Sequence, residues 1–276
     1  MKRAYLGIDH VVIRTTDAQS LFDLLSGPLG LPVTWRLERA AFATFGWVGV
    51  GNTNLEIWAA ENNSDLPVDC TLPLFHQIAL EPGELSKTMA RLRALGFSCK
   101  EPRTFKSTDQ SGQARTNFTN SVLLDMSSDL CRVFCCEWGS DAPIVPWKRG
   151  LTTPERRELE QNALAACGGG SLGLVALREI ALATPTVAAT TERWLRLTES
   201  KGEPIAITED VTLRLSIGTH EVIESLTFVV RDLNVARRFL GGSGLLGMDR
   251  ADQLSLAERA TSGLMFYFVE AVAGQG

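Results

Sequence analysis

The chain reads as an α+β protein made of four consecutive β-α-β-β units, paired two by two into two domains. Three observations predict this. A short apolar strand, an amphipathic helix and a strand pair follow one another from Ile8, and the same order returns from Leu74. The order is found twice more, from Ile180 and from Leu226. Between the second and third copies lies a stretch punctuated by proline and glycine. A repeated supersecondary unit is the organising signal, because each unit buries its apolar face only against a neighbour.

In the first copy, Ile8-Asp9-His10-Val11-Val12-Ile13-Arg14 is β-branched and apolar, as a buried strand should be. Thr15-Thr16-Asp17 supplies helix caps, and Leu21, Phe22, Leu24 and Leu25 form the apolar stripe of the helix. Gly27-Pro28 and Leu29-Gly30-Leu31-Pro32 end it. Strands from Ala41 to Val50 and from Asn54 to Trp58 follow, joined by Gly51-Asn52, with room for another short strand from Val33 to Leu37.

In the second copy, His76 to Leu80 is the strand, and Leu85, Met89, Leu92 and Leu95 mark one face of the helix, which stops at Gly96. Phe118 to Met126 and Cys131 to Trp138 form the strand pair. The third copy has a helix from Thr186 through Trp194 and Leu197, and a strand from Val211 to Ile217. The fourth begins at Leu226 to Leu233, continues with Val235, Ala236, Phe239 and Leu240 on a helix, and closes at Leu264 to Val269. Copies one and four align with Arg14 on Arg231, Ala18 on Val235 and Phe22 on Phe239.

Residues 142–170 contain Pro143, Pro146, a helix opened by Thr153-Pro154-Glu155, and the Gly168-Gly169-Gly170 run. Proline near a helix start and glycine just past its end is the expected asymmetry. The expected division is therefore a first domain over 1–141, a connector over 142–170 and a second domain over 171–276.

Of 276 residues, 45% are hydrophobic and 21% charged, which suits two ordinary globular cores. The net charge of −5 is spread without a basic block, which argues against nucleic acid and anionic membrane as partners. No apolar run reaches the roughly 18 residues of a membrane span, and Asp9 and His10 interrupt any signal-peptide core. The expected location is cytoplasmic, with the six cysteines as buried free thiols.

The chain has three histidines, and two of them, His10 and His76, sit on the first strands of copies one and two. The last strands of those copies each carry one acid in an apolar setting, Glu56 and Glu137. A glutamate between Leu55 and Ile57, or between Cys136 and Trp138, points to the inside of a curved sheet and needs a partner there. A metal ion is a suitable one. Imidazole plus carboxylate suits zinc, nickel, cobalt, manganese or ferrous iron alike.

With these residues in view, the pattern Ile8 to Ile13, helix, Gly51 to Glu56, repeated as His76 and Glu137, resembles the glyoxalase-like, vicinal oxygen chelate superfamily. Its members include glyoxalase I, extradiol dioxygenases, methylmalonyl-CoA epimerase and bleomycin- or fosfomycin-resistance proteins. The resemblance implies cupped mixed sheets with helices outside, and one divalent metal ion held by His10, Glu56, His76 and Glu137. It further implies that the ion stabilises an enediolate or oxyanion on a small carbonyl or thioester substrate, in a lyase or isomerase reaction. Glu137 or Glu56 is then the base. Residues expected to line the substrate pocket are Arg14, Phe45, Trp47, Asn54, Trp58, Asn120 and Trp138.

The second half departs from the pattern. Thr227 stands where copy four would have its histidine, Glu179 lies near that place in copy three, and the closing strands carry no matching acid. That half is expected to hold no metal, and His220 is expected on an exposed loop. The alternatives are an extradiol ring-cleaving dioxygenase and a non-catalytic binding protein of the resistance type. A monomer and a homodimer are both compatible with two paired units in each half.

Overall fold

The computed structural model describes residues 3–108, 114–139, 151–200, 202 and 204–271. Strand β1 (Gly7–Arg14) leads into helix α1 (Ala18–Ser26), whose N-terminus is capped by the Asp17 carboxylate accepting from the Ser20 amide. Ala18, Leu21, Phe22 and Leu25 form its buried face. Strands β2 (Val33–Arg39), β3 (Ala43–Gly49) and β4 (Asn54–Ala60) complete the first unit. The second unit comprises β5 (Leu74–Glu81), α2 (Leu85–Ala94), β6 (Arg103–Thr108), β7 (Ala114–Val122) and β8 (Arg132–Trp138).

Helix α3 (Thr153–Ala166) opens with a capping box between Thr152 and Glu155 and a proline in its first turn. The third unit follows as β9 (Leu174–Thr184), α4 (Val187–Thr198), β10 (Ile205–Ala206) and β11 (Thr212–Ile217). The fourth is β12 (Val222–Val230), α5 (Leu233–Gly242), β13 (Leu246–Asp249), β14 (Leu254–Leu256), α6 (Glu258–Thr261) and β15 (Met265–Glu270). All four β-α-β-β units are present in the expected order. Strand β9 starts earlier than its apolar run suggests, because Arg178 and Glu179 continue it on a partly exposed face and Glu179 pairs with Arg214 (2.9 Å). Residues 140–150, which open the expected connector, lie outside the described residues.

Strand β1 runs parallel to β4 and antiparallel to β5, and β5 runs parallel to β8. In the second half, β12 likewise pairs with β15 and β9, and β9 with β11. The halves meet where Ile223 of β12 pairs with Phe75 of β5, so one mixed sheet runs through the molecule. Among the described residues no helix is long and apolar enough to cross a membrane.

The β1–β5 pairing is symmetric down to its irregularities. Ile8 pairs with Leu80 and His10 with Ala79, leaving Asp9 as the extra residue of a bulge on β1. Val12 pairs with Gln77 and Ile13 with Phe75, leaving His76 as the extra residue on β5. A local twofold axis therefore relates Asp9 to His76, His10 to Gln77 and Val12 to Ala79. A bulge re-aims the side chains beside it, so these two decide what reaches each face.

Side chains alternate between faces along a strand. Val11, Ile13, Leu55, Ile57, Ile78, Leu80 and Val133 are buried in the main core with α1 and α2. His10, Val12, Glu56, Gln77, Ala79 and Phe134 lie on the opposite face by register. That face is the cup of the first half.

A candidate ligand-binding cup in the first half

His10 stands at the base of the cup, almost fully buried. The neighbouring strands place aromatic rings around it, with Trp47 at 4.5 Å between centroids, Phe134 at 5.6 Å and Trp138 at 6.4 Å. The shell continues outward along cross-strand partners. Trp35 pairs with Trp47 and Phe45 with Trp58 in the strand register. Trp35 lies 5.8 Å from Trp47 and 6.0 Å from Trp138, and Phe45 stacks on Trp58 at 5.5 Å. Phe118 meets Trp138 edge-on at 5.2 Å and closes the other wall. Rings at these offsets attract one another by about 0.5–1.5 kcal/mol per pair beyond their burial.

The polar groups of the cup form one buried network. The Nδ1–H of His10 donates to Asp9 Oδ1 (3.1 Å), and its Nε2 lies 3.3 Å from Glu56 Oε2. Asp9 also accepts from Trp138 Nε1 (2.8 Å) and from Arg156 Nη2 (3.0 Å). Arg156 and Glu160 come from α3, which lays its polar side against the cup. Arg156 Nη2 is 3.4 Å from Glu81 Oε1, Arg157 pairs with Glu81 and Glu160, and Asn54 Nδ2 donates to Glu160 Oε1 (3.0 Å).

This wiring sets the charges. Burial alone would push Asp9 up and His10 down. Arg156, with help from His10, outweighs burial at Asp9 and holds its carboxyl far below the usual range. Hydrogen bonds to Asp9 and Glu56 outweigh burial at His10 and raise it to about 9. At neutral pH His10 is thus an imidazolium, bonded to the ionised Asp9 and 3.3 Å from Glu56 Oε2.

Two buried donors do not share in this network. Trp47 Nε1 and Trp35 Nε1 have no hydrogen-bond partner, although both side chains are more than nine-tenths buried. An unmet buried N–H costs roughly 1–3 kcal/mol, so a pair of them side by side is a feature of the site.

The residues grouped from the sequence are distributed as follows. His10 and Glu56 come together. His76 does not join them: as the bulge residue of β5, its Nε2–H donates to the Asp129 carbonyl (3.2 Å) and its Nδ1 accepts from Gln77 (3.1 Å). Burial, reinforced by Arg132 and Arg14, lowers His76 to about 4 and keeps it neutral. Glu137 pairs with Thr119 and so faces away from Phe118 and Trp138; its Oε1 accepts from the Leu85 amide (2.7 Å) at the start of α2.

A divalent ion held by these four side chains would require them to converge, and they do not. By the local twofold, the counterparts of His10 and Glu56 are Gln77 and Phe134. Phenylalanine offers no donor. Among the described residues, no three His, Cys, Asp or Glu side chains are gathered so as to hold a metal ion. In this structure His10 and Glu56 share the cup, while His76 and Glu137 bond elsewhere. The reason is the strand period of two, by which a one-residue offset moves a side chain to the other face.

Of the expected pocket residues, Trp47, Phe45, Trp58 and Trp138 line the cup, and Asn120 shares its face through its pairing with Cys136. Asn54 is fully buried between Thr34 and Glu160. Arg14 is committed to Asp65 (two contacts of 3.1 Å) and Asn63 (2.6 Å) at the end of β1. Sequence reading missed Trp35, Asp9 and Arg156. The alternation of Trp35 with Leu37 on a short strand was the available signal for the first.

In the second half, Thr227 pairs with Glu179, whose carboxylate is bound to Arg214. His220 is exposed and borders a cleft of about 430 Å³ at the seam of the halves, together with Asp69, Cys70, Asp129 and Glu221.

Comparison with known proteins agrees with this architecture. Residues 7–116 match the model of the Glyoxalase/Bleomycin resistance protein/Dioxygenase superfamily. No curated protein matches the chain. A crystal structure of a hypothetical protein from Staphylococcus aureus superposes with a TM-score of 0.62 at 10% identity, covering 96% of this chain and 99% of that one. A mutant of 4-hydroxymandelate synthase from Streptomyces coelicolor superposes with a TM-score of 0.63 at 13% identity, covering 100% and 95%. A variant of homoprotocatechuate 2,3-dioxygenase from Brevibacterium fuscum gives 0.59 at 12% identity, covering 97% and 72%. The matched stretch spans the first unit and the second as far as the start of β7, and the three solved structures share the fold of the whole chain.

Proposed function

We propose that the protein binds a planar organic ligand in the first-half cup, between its aromatic walls, without a metal ion and without turning it over. The observation that carries this reading is the ring shell of Trp35, Trp47, Phe118, Phe134 and Trp138 around a single His–Glu pair. Cups rich in apolar surface with a few convergent polar groups are the usual shape of small-molecule sites. A ring slid between such walls gains burial and stacking together.

A metal-dependent lyase or isomerase, the activity implied by the four-residue pattern, would need ligands beyond His10 and Glu56. Gln77 and Phe134 stand in those places. The dioxygenase and synthase named among the neighbours share the fold at 12–13% identity, which lends this chain no activity.

Two measurements test the reading. Elemental analysis is made on protein purified without chelator, and again after zinc, nickel, cobalt, manganese or ferrous iron is added back. Tryptophan fluorescence is then followed during titration with planar aromatic compounds. The expected result is far less than one metal per chain together with saturable quenching. Near-stoichiometric metal that disappears in His10→Ala would overturn the proposal in favour of the enzyme.

A further inference from the structure

The indole N–H groups of Trp35 and Trp47 narrow the ligand class. We infer that they are a paired recognition element for an acceptor oxygen, and that the cup takes an uncharged planar ligand bearing a carbonyl group. This deepens the binding reading above and rests on it.

The two tryptophans are cross-strand partners on β2 and β3, with ring centroids 5.8 Å apart. Trp47 faces Glu56 in the register, which sets it on the cup side, and Trp35 shares that side by its own pairing. Trp47 is 1% exposed and Trp35 9%, and neither Nε1 has an acceptor. Trp138 serves as an internal comparison. Its indole N–H, in the same cluster, is met by the Asp9 carboxylate at 2.8 Å. The protein therefore satisfies one of three neighbouring indoles and leaves two for something else. An indole N–H only donates, so what satisfies it must offer a lone pair.

The charge of the cup decides which acceptor. Asp9, Glu56, Glu81 and Glu160 are carboxylates within one buried cluster, against Arg156, Arg157 and the His10 imidazole. The cations are already engaged with these acids. Among the described residues at the base of the cup, an anionic ligand would find no cation that is not already engaged, and would enter at a large desolvation cost. A ketone, quinone, lactone or amide oxygen accepts both N–H groups and brings no charge. The flat walls then hold the ring system that carries it.

The test uses compounds that differ only in that oxygen: fluorenone against fluorene, and the smaller pair indanone against indane. The intact protein is labelled with ¹⁵N at the indole nitrogens of its six tryptophans, and the resonances are assigned with Trp35→Phe and Trp47→Phe. Each ketone is expected to move the Trp35 and Trp47 N–H signals downfield and to bind about tenfold more tightly than its hydrocarbon. Either Phe variant, which keeps an aromatic ring, is expected to reduce the ratio of ketone to hydrocarbon affinity about fivefold. Equal affinities for ketone and hydrocarbon, with cup resonances moving alike for both, would overturn the carbonyl assignment and leave the binding reading standing. If none of these compounds moves the signals of Trp35, Trp47, Trp58 or Trp138, both fall together. The comparison on wild-type protein remains decisive should a Phe variant fail to fold.

Discussion

Asp9 and His76 are equivalent residues of two symmetry-related strands, each the extra residue of a β-bulge where β1 and β5 pair. They have opposite fates. Asp9 collects three donors, from His10, Trp138 and Arg156, and stays ionised inside the cup. His76 sits between the Asp129 carbonyl and Gln77 and stays neutral. The next residue along each strand is what reaches the middle of the cup, His10 on one side and Gln77 on the other.

The two histidines give stability a pH optimum. His76 is lowered from 6.5 to about 4, chiefly by burial, so the unfolded chain binds its proton more readily. Its contribution is complete above about pH 6.5 and is lost as pH falls toward 4. His10 is raised to about 9 by Asp9 and Glu56 against the effect of burial, so its contribution is complete below about pH 6.5 and is lost as pH rises through 9. Urea unfolding at pH 4.5, 6.5 and 9 is expected to peak at the middle value. His10→Gln should flatten the alkaline limb and His76→Gln the acid limb; unchanged limbs would contradict the assigned charges.

Arg156→Met is expected to destabilise the protein by about 3–5 kcal/mol, because it leaves Asp9, Glu81 and Glu160 buried without their shared cation. In a double-mutant cycle with Asp9→Asn, the two losses should be strongly non-additive, since the Asn side chain no longer needs the guanidinium. Additive losses, or a single loss under about 1 kcal/mol, would mean that α3 is held to the cup by other contacts.

Glu137→Ala should cost about 1 kcal/mol, the value of an acceptor at the first turn of a helix, because Glu137 serves the Leu85 amide. Glu84, the residue at the cap position of α2, makes no side-chain capping bond of its own. Quenching titrations of this variant should match the wild type. A lost or much weakened ligand response would place Glu137 in the cup after all.

Gly46 lies between Phe45 and Trp47 on β3, where a Cβ atom would stand 2.8 Å from Phe22 Cε2 and 2.9 Å from Leu37 Cα. Gly46→Ala must shift β2 or α1, at about 1–3 kcal/mol for the overpacking. The same shift would disturb Trp47, so ligand affinity should fall along with stability. Full affinity in this variant would show that the aromatic wall tolerates movement of its strand.

Much of this molecule was legible in its residues. The four units could be read because strand and helix patterning differ in period, 2 against 3.6, and because Asp17, Thr152 and Glu155 announce helix starts. His10 and Glu56 were legible as a pair, being polar groups set among Val11, Leu55 and Ile57 on strands that pair in parallel. In the structure His76 stands one position before Gln77, the counterpart of His10. Both bulges conserve the apolar pattern on the core side, so nothing in the residues marks which member of Phe75-His76-Gln77 is the extra one.

By itself, then, the sequence determined the order and type of the elements, the buried face of each, and the membership of His10, Glu56 and Trp47 in one cup. The tertiary structure alone decided which face His76 and Glu137 reach, and which cation enters the cup. Side-chain direction in a strand depends on register, which is settled by pairing with a distant strand. Arg156 meets Asp9 across 147 positions of chain, through a helix whose own pattern says nothing of where it docks.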